Sequence, residues 1–232
     1  MNQSPACATC ALREYNIFSR CQPEQLVQLD VDKTTALYKK GQFIFSEGQR
    51  PKGLYCILEG SVKVLKEGPR GEESTLSVAK PGDLIGHTSF FSHKVYSTSA
   101  LALEDSRVCC IESSSFDALQ KSSPEISRRI IDFLCTEIEH DGERIVSLGR
   151  RSVRERLAEH LLHLIDSDRT VPKHSVPSLP YSSRELAKMI GTAPETSSRA
   201  LSQMKSERLI AMEKGKIKIL NAAKLRSIAQ LS

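Results

Sequence analysis

The chain has 232 residues, enough for one or two domains with a buried core. Apolar side chains make up 39% and charged ones 26%, and no apolar run approaches the ~20 residues that span a bilayer, which argues against bulk disorder and against a membrane protein. The formal charge of +5 is mild, but residues 151–232 carry 15 Lys and Arg against 8 Asp and Glu, so a polyanion such as nucleic acid is the partner this end suggests.

Residues 1–22 form a cysteine-bearing arm. Met1 to Pro5 lacks a charged segment followed by an apolar one, so no secretory leader is expected and the chain reads as cytoplasmic. In a reducing compartment the seven cysteines, three of them (Cys7, Cys10, Cys21) in the arm, point to metal binding or redox sensing rather than to a disulfide framework. Pro23 opens a short helix with Leu26 and Leu29 on one face. Residues 23–122 are dominated by short alternating runs such as Gln42-Phe43-Ile44-Phe45 and Ser61-Val62-Lys63-Val64-Leu65, punctuated by glycines. Such spacing predicts an all-β sandwich or barrel.

Residues 123–150 predict one long helix. Ile131, Leu134, Ile138, Asp141, Ile145 and Leu148 recur at alternating spacings of three and four, a heptad seam suited to pairing with a second helix. Asp141 would place two like charges face to face in a symmetric dimer. Residues 151–232 predict a helix over Arg151–Asp166, then a helix-turn-helix and a small hairpin. Ser182 and Glu185 have capping-box spacing, Gly191 lies in the turn, and a second helix spans about Glu195–Arg208. Glu195, Ser198 and Arg199 share one face near the start of that helix, opposite Leu201 and Met204. In a major groove Arg can pair with guanine, Glu can accept from cytosine and Ser can bond several groups. Lys188, Lys205, Lys214, Lys216 and Lys218 are candidate phosphate contacts, which would make binding to double-stranded DNA salt-dependent.

A glycine-punctuated roll, a long helix and a winged helix containing Glu195-Thr196-Ser197-Ser198-Arg199 together resemble the CRP/FNR superfamily of bacterial transcription regulators. The branch it most resembles is FNR, the fumarate and nitrate reduction regulator. Three segments carry that resemblance: Pro194 to Leu201, Ala102 to Cys109, and Glu137 through Ala158. It implies an α+β fold with an N-terminal cyclic-nucleotide-binding-like β-roll (a double-stranded jelly roll), a long dimerisation helix and a C-terminal winged helix-turn-helix. It also implies a homodimer, a palindrome of TTGAT-like half-sites read by Glu195, Ser198 and Arg199, and contact with RNA polymerase, with residues 89–97 as a candidate surface.

FNR holds a 4Fe–4S cluster, and the resemblance would make Cys7, Cys10, Cys21 and Cys109 its ligands here. The spacing departs from the family pattern: ten residues separate Cys10 from Cys21, where FNR has five. A turn over Arg13, Ile17 and Phe18 is the expected means of returning Cys21 to the others. Cys56, in an apolar run, and Cys135, beside the seam, read as small hydrophobes. Zinc competes for the same thiolates, although structural zinc sites usually pair two short chelates and this chain has one. Thiol oxidation and a small ligand in the roll remain alternatives. Cyclic AMP is disfavoured, because His87 stands where the cyclic-AMP branch has Glu and no Arg precedes a Ser to grip the phosphate. The chain carries none of the common nucleotide-binding, hydrolase or metalloprotease motifs, so no enzymatic activity is expected.

Overall fold

The computed structural model describes residues 6–31, 33–69, 71–166, 178–179, 181–213 and 216–230. These divide into two compact units, Met1–Glu139 and His140–Ser232.

The first unit opens with two short 3₁₀ turns, Cys7–Thr9 and Ala11–Tyr15, followed by helix α1 (Pro23–Val31). The strands are β1 (Thr34–Tyr38), β2 (Phe43–Phe45), β3 (Gly53–Glu59), β4 (Val62–Glu67), β5 (Glu73–Ala79) and β6 (Leu84–Ile85). Helix α2 (His87–Phe91) precedes β7 (Ser99–Ala102) and β8 (Ser106–Glu112). Pairing is nested and antiparallel, β1 with β8, β2 with β7, β3 with β6 and β4 with β5, which winds the chain into a jelly roll. Its two sheets run β1-β8-β3-β6 and β2-β7-β4-β5. Gly60 closes the β3–β4 turn at φ +84°, where a Cβ would also collide with the Asp105 and Ser106 backbone.

The sheet containing β3 and β8 is covered on both faces, so β3 is a nearly unbroken apolar run. Tyr55, Ile57 and Val108 face the roll interior and meet Phe45, Tyr96, Ala100 and Ala102. Leu54, Cys56, Leu58, Cys109 and Ile111 face outward, under α1, helix α3 (Ser113–Ser122) and the start of helix α4 (Pro124–Arg150). Leu26, Leu29, Phe116, Leu119 and Ile126 complete this outer core, each at most 1% exposed. The expected apolar face of the first helix, Leu26 with Leu29, is thus what anchors it.

The second unit contains the end of α4, α5 (Val153–Asp166), β9 (Ser178–Leu179), α6 (Ser183–Met189), α7 (Pro194–Ser206), β10 (Ile210–Glu213), β11 (Lys216–Ile219) and α8 (Ala222–Ile228). α5 begins at Val153 rather than Arg151. The Ser152 backbone N–H donates to Glu155 Oε2 (2.7 Å) and the Glu155 N–H donates to Ser152 Oγ (3.3 Å), so a local cap resets the helix there. Leu157, Leu161 and Leu164 fill its buried face.

At α6 the expected capping box is present: the Glu185 N–H donates to Ser182 Oγ (3.2 Å) and the Ser182 N–H to Glu185 Oε2 (2.7 Å). Ser182→Ala should lower stability by about 1 kcal/mol, a fall of about 4–8 °C in the melting temperature of a unit this size. Calorimetry would read this shift.

Candidate functional site

α6 and α7 are joined through Gly191 at φ +64°, and Pro194 supplies the first residue of α7. Leu201 and Met204 turn inward, and Ser197, fully buried, donates through Oγ to the Ser183 carbonyl (3.3 Å). That packing leaves Glu195, Ser198 and Arg199 exposed on the opposite face. They line an open groove with Ser183, Arg184 and Ser202. Arg184 and Ser202 were not singled out from the sequence. Arg184 follows the α6 cap, and its position just inside a helix-turn-helix was the available signal.

No ion pair joins Glu195 to Arg199 among the described residues. Lys205 is exposed and Lys218 pairs with Glu213 in the β10–β11 hairpin. Lys214 lies outside the described residues, and of Lys216 only the strand backbone is described.

α4 presents the predicted seam. Ile131 is 60% exposed, Ile138 and Ile145 70% each and Leu148 44%, with Asp141 exposed among them. Leu134 departs from this pattern. It is half-buried against the outer core of its own roll. Cys135, expected as a small buried hydrophobe, is exposed instead.

Beneath the N-terminal arm lies a recess of about 30 Å³. Cys7, Cys10, Cys56 and Cys109 line it. The Cys10 N–H donates to the Cys7 carbonyl (3.4 Å), while the Cys7 N–H donates to Asp30 Oδ1 (3.0 Å) and so ties the arm to α1. Cys56 and Cys109 are direct register partners on β3 and β8 and share one sheet face. Cys110 points to the other face, toward the roll interior, as strand alternation requires.

The structure does not bring Cys21 into this recess. Ile17 and Phe18 bury themselves in the outer core, and the following turn leaves Cys21 buried beside Arg13 and Arg129. The expected return of Cys21 therefore fails because the intervening apolar pair is spent on anchoring the arm. Cys56, taken from the sequence as a small hydrophobe, occupies the recess instead.

Burial pushes the Cys7 thiol up to about 11, opposed by nearby Lys33, and the Cys109 thiol up to about 12. Cys56 is pushed up by burial as well. Binding a metal group here would release protons. Among the described residues no three His, Cys, Asp or Glu side chains are arranged to hold a single metal ion. Four thiols that line one recess without closing on a single ion suit a polynuclear cluster, whose soft irons take one thiolate each. Arg13 Nη1 is buried with no hydrogen-bond partner, while Lys33 Nζ, 3.5 Å from Cys7 Sγ, is paired with Asp30, so Arg13 is the cation this recess offers an anionic cluster.

A jelly roll followed by a helix-turn-helix with a free polar reading face defines a DNA-binding transcription regulator. Residues 36–123 match the cyclic nucleotide-binding domain family, and residues 155–228 match the Crp-like helix-turn-helix domain family. The chain belongs to the CRP/FNR superfamily. It is similar to the nitrogen fixation regulation protein FixK of Bradyrhizobium diazoefficiens, with 28% identity over 96% of this chain and 93% of that one. The fumarate and nitrate reduction regulatory protein of Vibrio cholerae is also 28% identical, over 97% of this chain and 91% of its own length. Among solved structures, FixK2 from Bradyrhizobium japonicum matches with a TM-score of 0.75 and 25% identity, covering 85% of this chain and 98% of that chain. Among the described residues no helix is long and apolar enough to cross a membrane.

Proposed function

We propose that this regulator works as a homodimer paired along α4, reads TTGAT-like palindromic half-sites through Glu195, Ser198 and Arg199, and responds to oxygen or nitric oxide through an iron–sulfur cluster under its N-terminal arm. The observation that carries the DNA reading is the exposed face of α7, free of protein partners and flanked by Arg184. Similarity to a fumarate and nitrate reduction regulator supports the sensory assignment, and so do the thiol ring and the unpartnered Arg13 nitrogen. The roll interior is filled by Phe45 stacked on Tyr96 at 3.9 Å and by Tyr55, which supports the reading against cyclic AMP. Contact with RNA polymerase would fall to residues 92–95 and 97, the exposed part of the 89–97 segment.

When bound, the cluster supplies a group labile to oxygen and nitric oxide. The chain's own residues carry the coupling. The arm is joined to α4 by Arg129, whose Nη2 donates to Ser19 Oγ (3.3 Å). Leu134 packs on the same outer core as Cys56 and Cys109. An ordered arm thereby steadies the stretch of α4 from which the seam emerges, and Asp141 repulsion sets the threshold for pairing.

The test is iron and sulfide content of protein purified without oxygen, with retardation of a TTGAT palindrome before and after air. About four iron per subunit, with specific binding lost in air, supports the proposal. Absence of iron together with air-indifferent binding overturns the sensory part. Asp141→Ala should tighten the dimer several-fold and preserve DNA binding in air. Sedimentation equilibrium showing an unchanged dimer constant would remove Asp141 from the switch.

One observation favours a second reading, thiol oxidation without a cluster: the direct cross-strand pairing of Cys56 with Cys109. It predicts a disulfide between them in air, visible by mass spectrometry, and no iron in protein kept from oxygen.

A further inference from the structure

The geometry points to Cys56, not Cys21, as the fourth thiolate of the cluster, alongside Cys7, Cys10 and Cys109. This inference rests on the cluster reading given above and names its ligand set.

Cys56 stands directly across from Cys109 in the β3–β8 ladder, so the two side chains leave the sheet on the same face as neighbours. Both face the N-terminal arm rather than the roll interior. The arm already reaches Cys56, because Asn16 directs Nδ2 toward Cys56 Sγ (3.7 Å) while also donating to the Gly82 carbonyl (3.2 Å). Cys7 and Cys10 of the arm line the same recess as the strand pair, so four cysteines border one space.

Cys21 has a different setting. It lies beyond Phe18, whose ring is itself part of the recess wall. Its backbone N–H closes a turn onto the Phe18 carbonyl (3.1 Å), and its charged neighbours are Arg13 and Arg129 rather than other cysteines. Bringing Cys21 to the other thiols would require lifting Ile17 and Phe18, 2% and 5% exposed, out of the core. Cys56 needs no such movement.

The experiment compares wild-type protein, Cys56→Ala, Cys21→Ala and the triple variant Cys21→Ala/Cys110→Ala/Cys135→Ala. Each is reconstituted without oxygen using ferrous iron and sulfide, then assayed for iron, acid-labile sulfide and visible absorption. The triple variant retains only the four proposed ligands, so it decides the matter even if Cys56→Ala does not fold. The expected result is about four iron and four sulfide in wild type, Cys21→Ala and the triple variant. Cys56→Ala should lose the visible band and most of its iron while keeping the wild-type circular dichroism. A loaded wild type with an empty Cys21→Ala or an empty triple variant would overturn the inference and leave the cluster reading intact. A folded Cys56→Ala with the full wild-type spectrum would overturn it too. A wild type that takes up no iron overturns both.

Discussion

Ile138→Glu should convert the proposed dimer into a monomer at micromolar concentration. Ile138 is 70% exposed on α4, midway between Ile131 and Ile145, which are 60% and 70% exposed. An apolar stripe of that length along one helix face suits pairing with a second copy of the helix. Burying one Ile is worth about 1.5–3 kcal/mol. A two-fold interface buries each residue twice, so the substitution removes about 3–6 kcal/mol, a dimer constant weakened about 10²- to 10⁴-fold. The added carboxylate, close to Asp141, pushes the same way. Analytical ultracentrifugation reads the constant directly. The monomer should remain folded, since the side chain contributes nothing to either core. It should also lose retardation of a palindrome, because two half-sites one DNA turn apart, ~34 Å, are no longer bound together. A dimer constant within two-fold of wild type would place the interface elsewhere.

Arg199→Ala should abolish sequence preference while sparing general attraction to DNA. Arg199 is exposed near the start of α7, next to Ser198 and one turn from Glu195, and no protein carboxylate engages it among the described residues. A bidentate contact to guanine is worth about 1–3 kcal/mol of discrimination. A dimer on a palindrome makes the contact twice, so specific affinity should fall about 30-fold to 10⁴-fold. Affinity for unrelated duplex and its dependence on salt should change little, because the lysines proposed to contact phosphate are untouched. Replacing the guanine in both half-sites gives a sharper check. It should weaken the wild-type protein by a similar factor and leave Arg199→Ala indifferent. If the variant still discriminates against the altered site, Arg199 does not read that base.

Several elements were legible from sequence because their causes are local. The Ser182–Glu185 capping box, the Gly191 turn and the i, i+3, i+4 grouping of Glu195, Ser198 and Arg199 depend on neighbours within one helical turn, and the structure has them in place. The exposed stripe of Ile131, Ile138 and Ile145 follows from helical periodicity alone. The Ser152–Glu155 cap was equally local and could have been found by the same spacing rule.

The membership of the thiol ring had no local cause. β3 is buried on both faces, so its apolar run lacks the alternation that would have shown Cys56 pointing outward. Strand period separates Cys109 from Cys110, yet only the long-range register of β3 against β8 sets Cys56 beside Cys109. The family resemblance implied that Cys21 would return to Cys10 in spite of its longer spacing. Packing decided otherwise, because burying Ile17 and Phe18 in the outer core gains more than their distance from Cys10 could reveal. Near neighbours in the chain thus determined the long helix, the α6 cap and the grouping of the face proposed to meet DNA, whereas which cysteines meet was left to the pairing of strands far apart in sequence and to the apolar side chains that pin the arm over them.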